Sequence, residues 1–207
     1  MKKLNIGISM REVNALEYSE KRDSIARDWY KFMQKVLPNS NWILIPNIEK
    51  DVINYIKNWQ INGFILTGGE DIGKSKERDF SEKQIFKYAQ KNSLPILGVC
   101  RGLQLIYKWM GGDLEQNDKT FTDLHLAKPH EIILDDDRII IVNSFHSNKL
   151  KEEVKPDKLK VLARCKSDNS IEAFEGDKIL GIMWHPEREE IPKNWDSYKI
   201  RKLFKHE

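Results

Sequence analysis

An α/β fold is what this sequence predicts: a three-layer sandwich with a mostly parallel sheet, helices on both faces and antiparallel strand additions in the C-terminal half. Three observations predict it. Short apolar runs alternate with amphipathic stretches through residues 4–110, the pattern of strand–helix–strand units covered on both sides. Two of those runs end in glycine-rich turns, Gly68-Gly69 and Gly98-Val99-Cys100-Arg101-Gly102, at the strand ends where open α/β sheets carry their sites. After Gly111-Gly112 the alternation gives way to a series of short β-runs.

Residues 4–9 read as the first strand. The stretch 19–36 reads as a helix, because Ile25, Trp29, Phe32, Met33 and Val36 make one apolar stripe suited to a core. Residues 42–46 give a second strand and 51–59 a short helix. The strand that begins at Gly63 ends in Gly68-Gly69, a helix follows at about 81–91, and the run from Pro95 turns at Cys100 into a helix reaching Met110. The later β-runs are 131–134, 138–142, 159–163, 171–174 and 179–183, with Asp135-Asp136-Asp137 as the turn between the first two. A helix over 195–204 closes the chain. No linker, repeat or low-complexity segment intervenes, so residues 1–207 are expected to form a single domain.

At 207 residues and 40% hydrophobic, such a domain buries a sizeable core. The net charge of +3 is spread among alternating acids and bases, with no basic stripe for nucleic acid. Cys100 and Cys165 do not make a disulfide framework, and no Cys/His cluster with metal-site spacing is visible, so no metal or cofactor is expected. Cys165 is expected to be inert. Met1-Lys2-Lys3 resembles the start of a secretion signal, but the apolar run 4–10 stops at Arg11-Glu12. With no run of membrane-spanning length, a cytoplasmic protein is expected.

Cys100 is the most informative residue. An apolar run ending in Gly-x-Cys-x-Gly and opening at once into a helix is a nucleophile elbow, in which a Cβ at Gly98 or Gly102 would clash. Sulfur at a helix N-terminus is favoured as thiolate, the nucleophilic form. A nucleophile needs a base with an orienting group. His185-Pro186-Glu187 supplies both at the end of the run 179–183, since Pro186 holds His185 extended. The amides of Gly69 and Arg101 are then placed to hold an oxyanion. Taken singly, these residues also fit a buried core cysteine and a solvated His-Pro-Glu turn.

Gly68-Gly69-Glu70-Asp71-Ile72-Gly73-Lys74-Ser75 satisfies the P-loop pattern and follows a strand. Against a phosphate cradle stand Glu70 and Asp71, whose carboxylates would face the phosphate, and a helix that the apolar periodicity resumes only near Phe80.

Together, Gly98-x-Cys100-x-Gly102-x-Gln104, the Gly68-Gly69 turn and Trp184-His185-Pro186-Glu187 resemble the class I glutamine amidotransferase fold. Within it, several segments are similar to the γ-glutamyl-γ-aminobutyrate hydrolase branch: Arg78-Asp79, Gly111-Gly112-Asp113-Leu114-Glu115-Gln116, Val142-Asn143-Ser144-Phe145-His146, Ser167-Asp168 and Ile171-Glu172-Ala173. The resemblance implies a Cys100, His185, Glu187 triad, an oxyanion hole at Gly69 and Arg101, and a glutamyl site formed by Gln104 and the backbone around Phe145, His146 and Ser147. Two positions depart from the branch. Phe145-His146-Ser147-Asn148 lacks a second histidine and a glutamine, and Met183 stands where the branch shows glutamine. Both alter what faces the leaving group and leave the acyl side intact. The implied activity is a stand-alone hydrolase of small γ-glutamyl amides that releases glutamate. A narrower similarity is to the γ-glutamyl-CDP-amidate hydrolases of bacterial capsule phosphoramidate synthesis. Other classes that keep this fold are a glutaminase subunit feeding ammonia to a synthetase and a non-catalytic binding module.

Overall fold

The computed structural model describes residues 3–116 and 119–205. Met1 and Lys2 of the signal-like start lie outside them. The chain begins with β1 (Asn5–Ser9), a hairpin of β2 (Arg11–Asn14) and β3 (Lys21–Ser24), α1 (Asp28–Val36), β4 (Asn41–Ile45) and α2 (Val52–Asn58). β5 (Gly63–Leu66), α3 (Lys76–Lys91), β6 (Ile96–Val99) and α4 (Arg101–Trp109) follow. The second half holds β7 (Leu114–Gln116), α5 (Lys119–His125), β8 (His130–Leu134), β9 (Ile139–Val142) and β10 (Asn148–Leu150). It ends with β11 (Lys160–Cys165), β12 (Ile171–Gly176), β13 (Ile179–Ile182) and α6 (Asn194–Phe204).

Nine strands make one sheet in the order β4-β1-β5-β6-β13-β12-β11-β8-β9. Pairing is parallel from β4 through β13 and antiparallel from β13 to β9, as the two halves of the sequence predict. The central strands are apolar at every position because both faces are covered. Ile65, Leu97, Val99, Leu180 and Ile182 point into one core with Trp29, Phe32 and Met33 of α1 and Ile200 of α6. Phe64, Leu66, Ile96 and Ile179 point into the other, with Val52 and Ile56 of α2, Ile85 of α3 and Leu103 and Ile106 of α4. The strand order also gathers the sequence motifs. β5, β6 and β13 are neighbours, so the Gly68-Gly69 turn, Cys100 and His185 leave adjacent strand ends on one edge of the sheet.

Helix α5 and strand β10 lie where the sequence expectation gave no element, and two helix starts differ from it by several residues. The helix expected over 19–36 starts at Asp28, and residues 21–24 pair with β2 instead. Residues 19–24 carry no apolar stripe, and their polar side chains suit an exposed hairpin closed by the Lys21–Glu12 ion pair. The helix expected at 81–91 starts at Lys76, where the Ser75 hydroxyl accepts from the Arg78 amide. Its first turns escape a hydrophobic periodicity because the side chains they bury, Arg78, Ser81 and Glu82, are polar. Among the described residues no helix is long and apolar enough to cross a membrane.

Candidate active site

Cys100 joins β6 to α4 at φ 51° and ψ −105°, a strained conformation for a residue with a side chain. The strain is imposed by packing. A Cβ on Gly102 would lie 2.1 Å from the Leu66 carbonyl oxygen, and one on Gly98 would lie 2.6 Å from the Gly102 backbone. Helix α4 can therefore sit down on β5 and β6 only with glycine at both positions, and this closeness forces the sharp turn. The Cys100 amide donates to the Ile182 carbonyl at 2.8 Å, which ties the turn to β13.

His185 follows β13, and its ring Nδ1 lies 2.7 Å from Glu187 Oε1. A carboxylate only accepts, so Nδ1 carries the proton and Nε2 is left for the thiol. Asn143 fixes the backbone of His185: its side chain accepts from the His185 amide and donates to the His185 carbonyl, both at 2.9 Å. Burial disfavours a thiolate at Cys100, but the charge and hydrogen bond of His185 outweigh it and hold the thiol below its ordinary range. Burial likewise opposes an imidazolium, yet Cys100 and then Glu187 push His185 up to about 9. Each group thus favours the charged form of the other, thiolate at Cys100 and imidazolium at His185.

Gly69 has φ +148°, and a Cβ there would meet Arg78 Nη1 at 2.3 Å. Arg78 Nη2 donates to the Thr67 and Gly68 carbonyls at 2.9 and 3.1 Å. In a trans peptide the Gly69 N–H points opposite to the Gly68 carbonyl, hence away from Arg78. Gly68 runs beside the histidine, since a Cβ there would meet His185 Cε1 at 2.6 Å. The Arg101 amide opens α4, while its guanidinium is buried against Glu82 and Asp79. Gly68, Gly69, Cys100, His185 and Glu187 line a small cavity of about 100 Å³ together with Phe145 and Arg188, and Arg101 is not in that lining.

The residues expected to hold a glutamyl group are placed unevenly. Phe145 reaches the cavity, edge-on to the His185 ring at 5.6 Å, with the Arg188 guanidinium over it at 4.1 Å. Gln104 is buried and donates to Met183 Sδ at 3.7 Å, so the departure at Met183, expected to alter only the leaving-group side, touches a residue expected to hold the glutamyl group. His146 is buried away from this lining, with Nδ1 donating to the Asn148 carbonyl at 3.0 Å, and Ser147 is half-buried. Sequence reasoning gives no role to Asn143, Arg11, Trp29 or Arg188. The first belongs to the motif Val142-Asn143-Ser144-Phe145-His146, and Arg11 and Ser24 reach the cavity on the β2–β3 hairpin, whose second strand falls in a stretch that reads as helix.

The P-loop residues are otherwise engaged. Glu70 accepts from Arg78 at 2.9 Å and the Gly73 amide donates to Asp79 at 2.7 Å, so the loop's groups are turned toward the protein's own charges. The expectation that no Cys/His cluster exists is corrected by the fold. His125 meets His146 and Glu172 in one group and His130 and Cys165 in another. Spacing could not show this, because a long-range sheet makes the cluster. Cys165 itself is buried, its thiol pushed up by burial, and its Sγ lies 3.1 Å from Ser167 Oγ.

A model of the Peptidase C26 family matches residues 5–187. The chain belongs to the Peptidase C26 family. It is a glutamine amidotransferase-like hydrolase by that membership, and the class I resemblance read from the motifs stands. Among curated proteins, this Peptidase C26 member is 34% identical to a γ-glutamyl-CDP-amidate hydrolase of Campylobacter jejuni, covering 93% of this chain and 97% of that one. It is also 29% identical to a glutamine-hydrolyzing GMP synthase subunit of Pyrococcus furiosus, over 70% of this chain and 74% of that one. Among solved structures, a glutamine amidotransferase from Thermotoga maritima shares the fold with a TM-score of 0.63 at 12% identity, covering 99% of this chain and 84% of that one. A Thermoplasma acidophilum protein assigned as a GMP synthase subunit shares it with a TM-score of 0.71 at 16% identity, covering 100% of this chain and 94% of that one.

Proposed function

We propose that this chain is a stand-alone, cysteine-dependent hydrolase of γ-glutamyl amides, with Cys100, His185 and Glu187 as its triad and γ-glutamyl-CDP-amidate as its substrate. The observation that carries the reading is the positive-φ Cys100 beside a histidine whose Nδ1 is held by a carboxylate at 2.7 Å. Cys100 Sγ attacks the γ-carbonyl carbon, and the oxygen takes up negative charge against the Gly69 and Arg101 amides. His185 gives its Nε2 proton to the departing nitrogen, leaving a γ-glutamyl thioester. The neutral ring then takes a proton from water, hydroxide adds to the thioester, and collapse expels the thiolate and free glutamate. Glu187 keeps the ring in the tautomer that both half-reactions need. Gln104 and the backbone around Phe145, His146 and Ser147 hold the glutamyl amino and carboxylate groups. The 34% identity to the Campylobacter jejuni enzyme over nearly both whole chains supports the choice of amide. The protein is proposed to act as one domain in the cytoplasm, on a small molecule, without nucleic acid or membrane.

The similarity to the Pyrococcus furiosus GMP synthase component favours a second reading, a glutaminase that delivers ammonia to a synthetase. One assay separates the two. Purified chain is given glutamine, γ-glutamyl-γ-aminobutyrate or γ-glutamyl-CDP-amidate at equal concentration, and glutamate release is followed. A hydrolase cleaves the larger amides unaided and glutamine poorly, because only the larger leaving group brings remote binding energy to the reacting carbonyl. Cleavage of glutamine alone, and only with a partner added, would establish the glutaminase. Preference for the γ-aminobutyrate conjugate would overturn the CDP-amidate assignment by itself. Cys100→Ala and His185→Ala should each lower kcat/KM by about 10⁴-fold or more, and mass spectrometry should find the γ-glutamyl adduct on Cys100 rather than Cys165.

A further inference from the structure

His125 at the end of α5, His146 after β9 and Glu172 in β12 close on one another from three separate segments, their ligand atoms all within 4.8 Å, with His130 at the start of β8 beside them. Their protons can be placed. His125 Nε2 lies 2.9 Å from Asp168 Oδ2, and since the carboxylate only accepts, Nε2 is the donor and Nδ1 presents its lone pair. His146 donates from Nδ1 to the Asn148 carbonyl, so its Nε2 presents a lone pair as well. These two lone pairs face the same atom, Glu172 Oε1, at 3.8 and 3.3 Å, and His130 Nε2 stands 3.6 Å from Glu172 Oε2. None of these atoms has a hydrogen-bond partner, and His125, His146 and Glu172 are at most 3% exposed.

Buried acceptors aimed at one another without a donor repel unless a cation stands between them. The spacing says which kind. Separations of 3.3 to 3.8 Å exceed a charge-assisted hydrogen bond of about 2.7–2.9 Å, so protons on the rings leave the gaps unclosed. The His146–Glu172 separation of 3.3 Å matches the edge of a tetrahedron around an ion with bonds of about 2.0–2.1 Å to nitrogen and oxygen, roughly 3.3–3.4 Å, and the His125 separation of 3.8 Å lies about 0.5 Å beyond it. The outer partners match too, because metal-bound histidines give their second N–H to a carboxylate or a backbone carbonyl, as His125 and His146 do here.

We propose that His125 Nδ1, His146 Nε2 and Glu172 Oε1 bind one divalent transition-metal ion of the zinc class, with His130 beside the carboxylate's other oxygen. Nitrogen-rich ligation with one carboxylate suits such ions over magnesium or calcium. Three protein ligands leave the fourth tetrahedral position on the His130 side. Its side open to solvent is that of His130 and Asp168, whose side chains are 10% and 25% exposed. The ion ties α5 and β12 to the loop carrying His146, and the preceding residue, Phe145, packs on the His185 ring. It thereby fixes one wall of the cavity from behind.

The test is metal binding by the full-length chain after stripping with a chelator, with Co²⁺ as the spectroscopic probe and Zn²⁺ as competitor. Wild type should take up about one Co²⁺ per chain with the visible bands of tetrahedral coordination, and Zn²⁺ should displace it and raise Tm. Glu172→Gln, nearly the same shape, should lose the tetrahedral bands. Asp168→Asn, which touches no ion, should weaken binding by about 10–100-fold, and it reports on the site even if Glu172→Gln fails to fold. Cys100→Ala should bind as wild type does. Absence of stoichiometric uptake, an octahedral spectrum, equal binding by Asp168→Asn, or loss of binding in Cys100→Ala would overturn the proposal. Because the readout is binding and not turnover, the result does not depend on the γ-glutamyl reading.

Discussion

Two buried clusters of charged groups serve the Cys100–His185 pair, one behind the Gly68-Gly69 turn and one behind Phe145, and they are balanced in opposite ways. In the first, Glu82 accepts from Ser9 at 2.7 Å, from Arg78 at 3.0 Å and from Arg101, while Arg78 spends its remaining donors on Glu70 and the Thr67 and Gly68 carbonyls. Burial disfavours the Glu82 carboxylate, but two guanidinium groups overcome that and hold it below the ordinary range. Both Glu82 oxygens meet donors, and the unpartnered atoms, Arg101 Nε and Glu70 Oε1, lie outside that carboxylate. In the second, Glu172 is as deeply buried, yet neither of its oxygens nor the ring nitrogens facing it has a hydrogen-bond partner. Burial and charge are alike in the two places. The match of donors to acceptors is what distinguishes a self-sufficient scaffold from a receptor that needs an ion.

The largest test of that contrast is Glu82→Gln. It removes the anion shared by Arg78 and Arg101, and stranding one side of a buried ion pair costs about 3–5 kcal/mol. Urea unfolding should show a loss of that size, with weaker activity because the carbonyls that aim the Gly69 amide lose their anchor. The rise in Tm on adding Zn²⁺ should survive in Glu82→Gln and vanish in Glu172→Gln. If both substitutions abolish the zinc increment, the two clusters are one network and the contrast is wrong.

A smaller effect is expected at Glu187, whose charge supports His185 from a site that is neither scaffold nor receptor. Glu187→Gln should keep the ring in place and lower kcat by roughly 10²-fold, less than His185→Ala does. The pH profile carries the sign. His185 must be protonated to release the amine, and it is held at about 9 by Cys100 first and Glu187 next, against burial. Turnover should therefore fall as pH rises through about 9 in the wild type. Without the carboxylate, imidazolium is lost earlier, so the basic limb in a plot of kcat/KM against pH should move down. A limb that stays put would mean that Glu187 does not tune the histidine.

The elbow and the His-Pro-Glu turn were legible in the sequence because each is a local device. Gly98 and Gly102 are required by a close approach between neighbouring elements, and Pro186 acts on the residue beside it. The parallel strands were legible for a related reason, since residues buried on both faces leave unbroken apolar runs. What stayed hidden depended on distance or on buried charge. The first turns of α3 bury Arg78 and Glu82, which hydrophobic periodicity scores as surface. The hairpin of β2 and β3 is exposed and polar, so no pattern marked its pairing, and the cavity residues it carries were missed with it. The three histidines and Glu172 are brought together only by strands and loops separated along the chain, and spacing rules do not see such a meeting.

Lys74 should give the smallest effect of all, and that smallness is informative. It stands where a P-loop lysine would reach phosphates, just before Ser75 and helix α3, and the helix does begin at the place such a loop requires. The loop's chemistry is nevertheless committed inward: Gly73 donates to Asp79, Glu70 accepts from Arg78, and the Ser75 hydroxyl caps the helix and donates to Glu12 at 3.1 Å. A phosphate there would meet carboxylates already paired with the scaffold, and Lys74 itself is exposed. Lys74→Ala should therefore change stability by no more than about 0.5 kcal/mol and leave kcat/KM for the γ-glutamyl amide within about twofold, by the equivalence of 1.4 kcal/mol to tenfold. Calorimetry with ATP and Mg²⁺ should show no binding to wild type. Magnesium-dependent binding that disappears in Lys74→Ala would make the Arg78–Glu82 region a ligand site, and the division between scaffold and receptor would have to be redrawn.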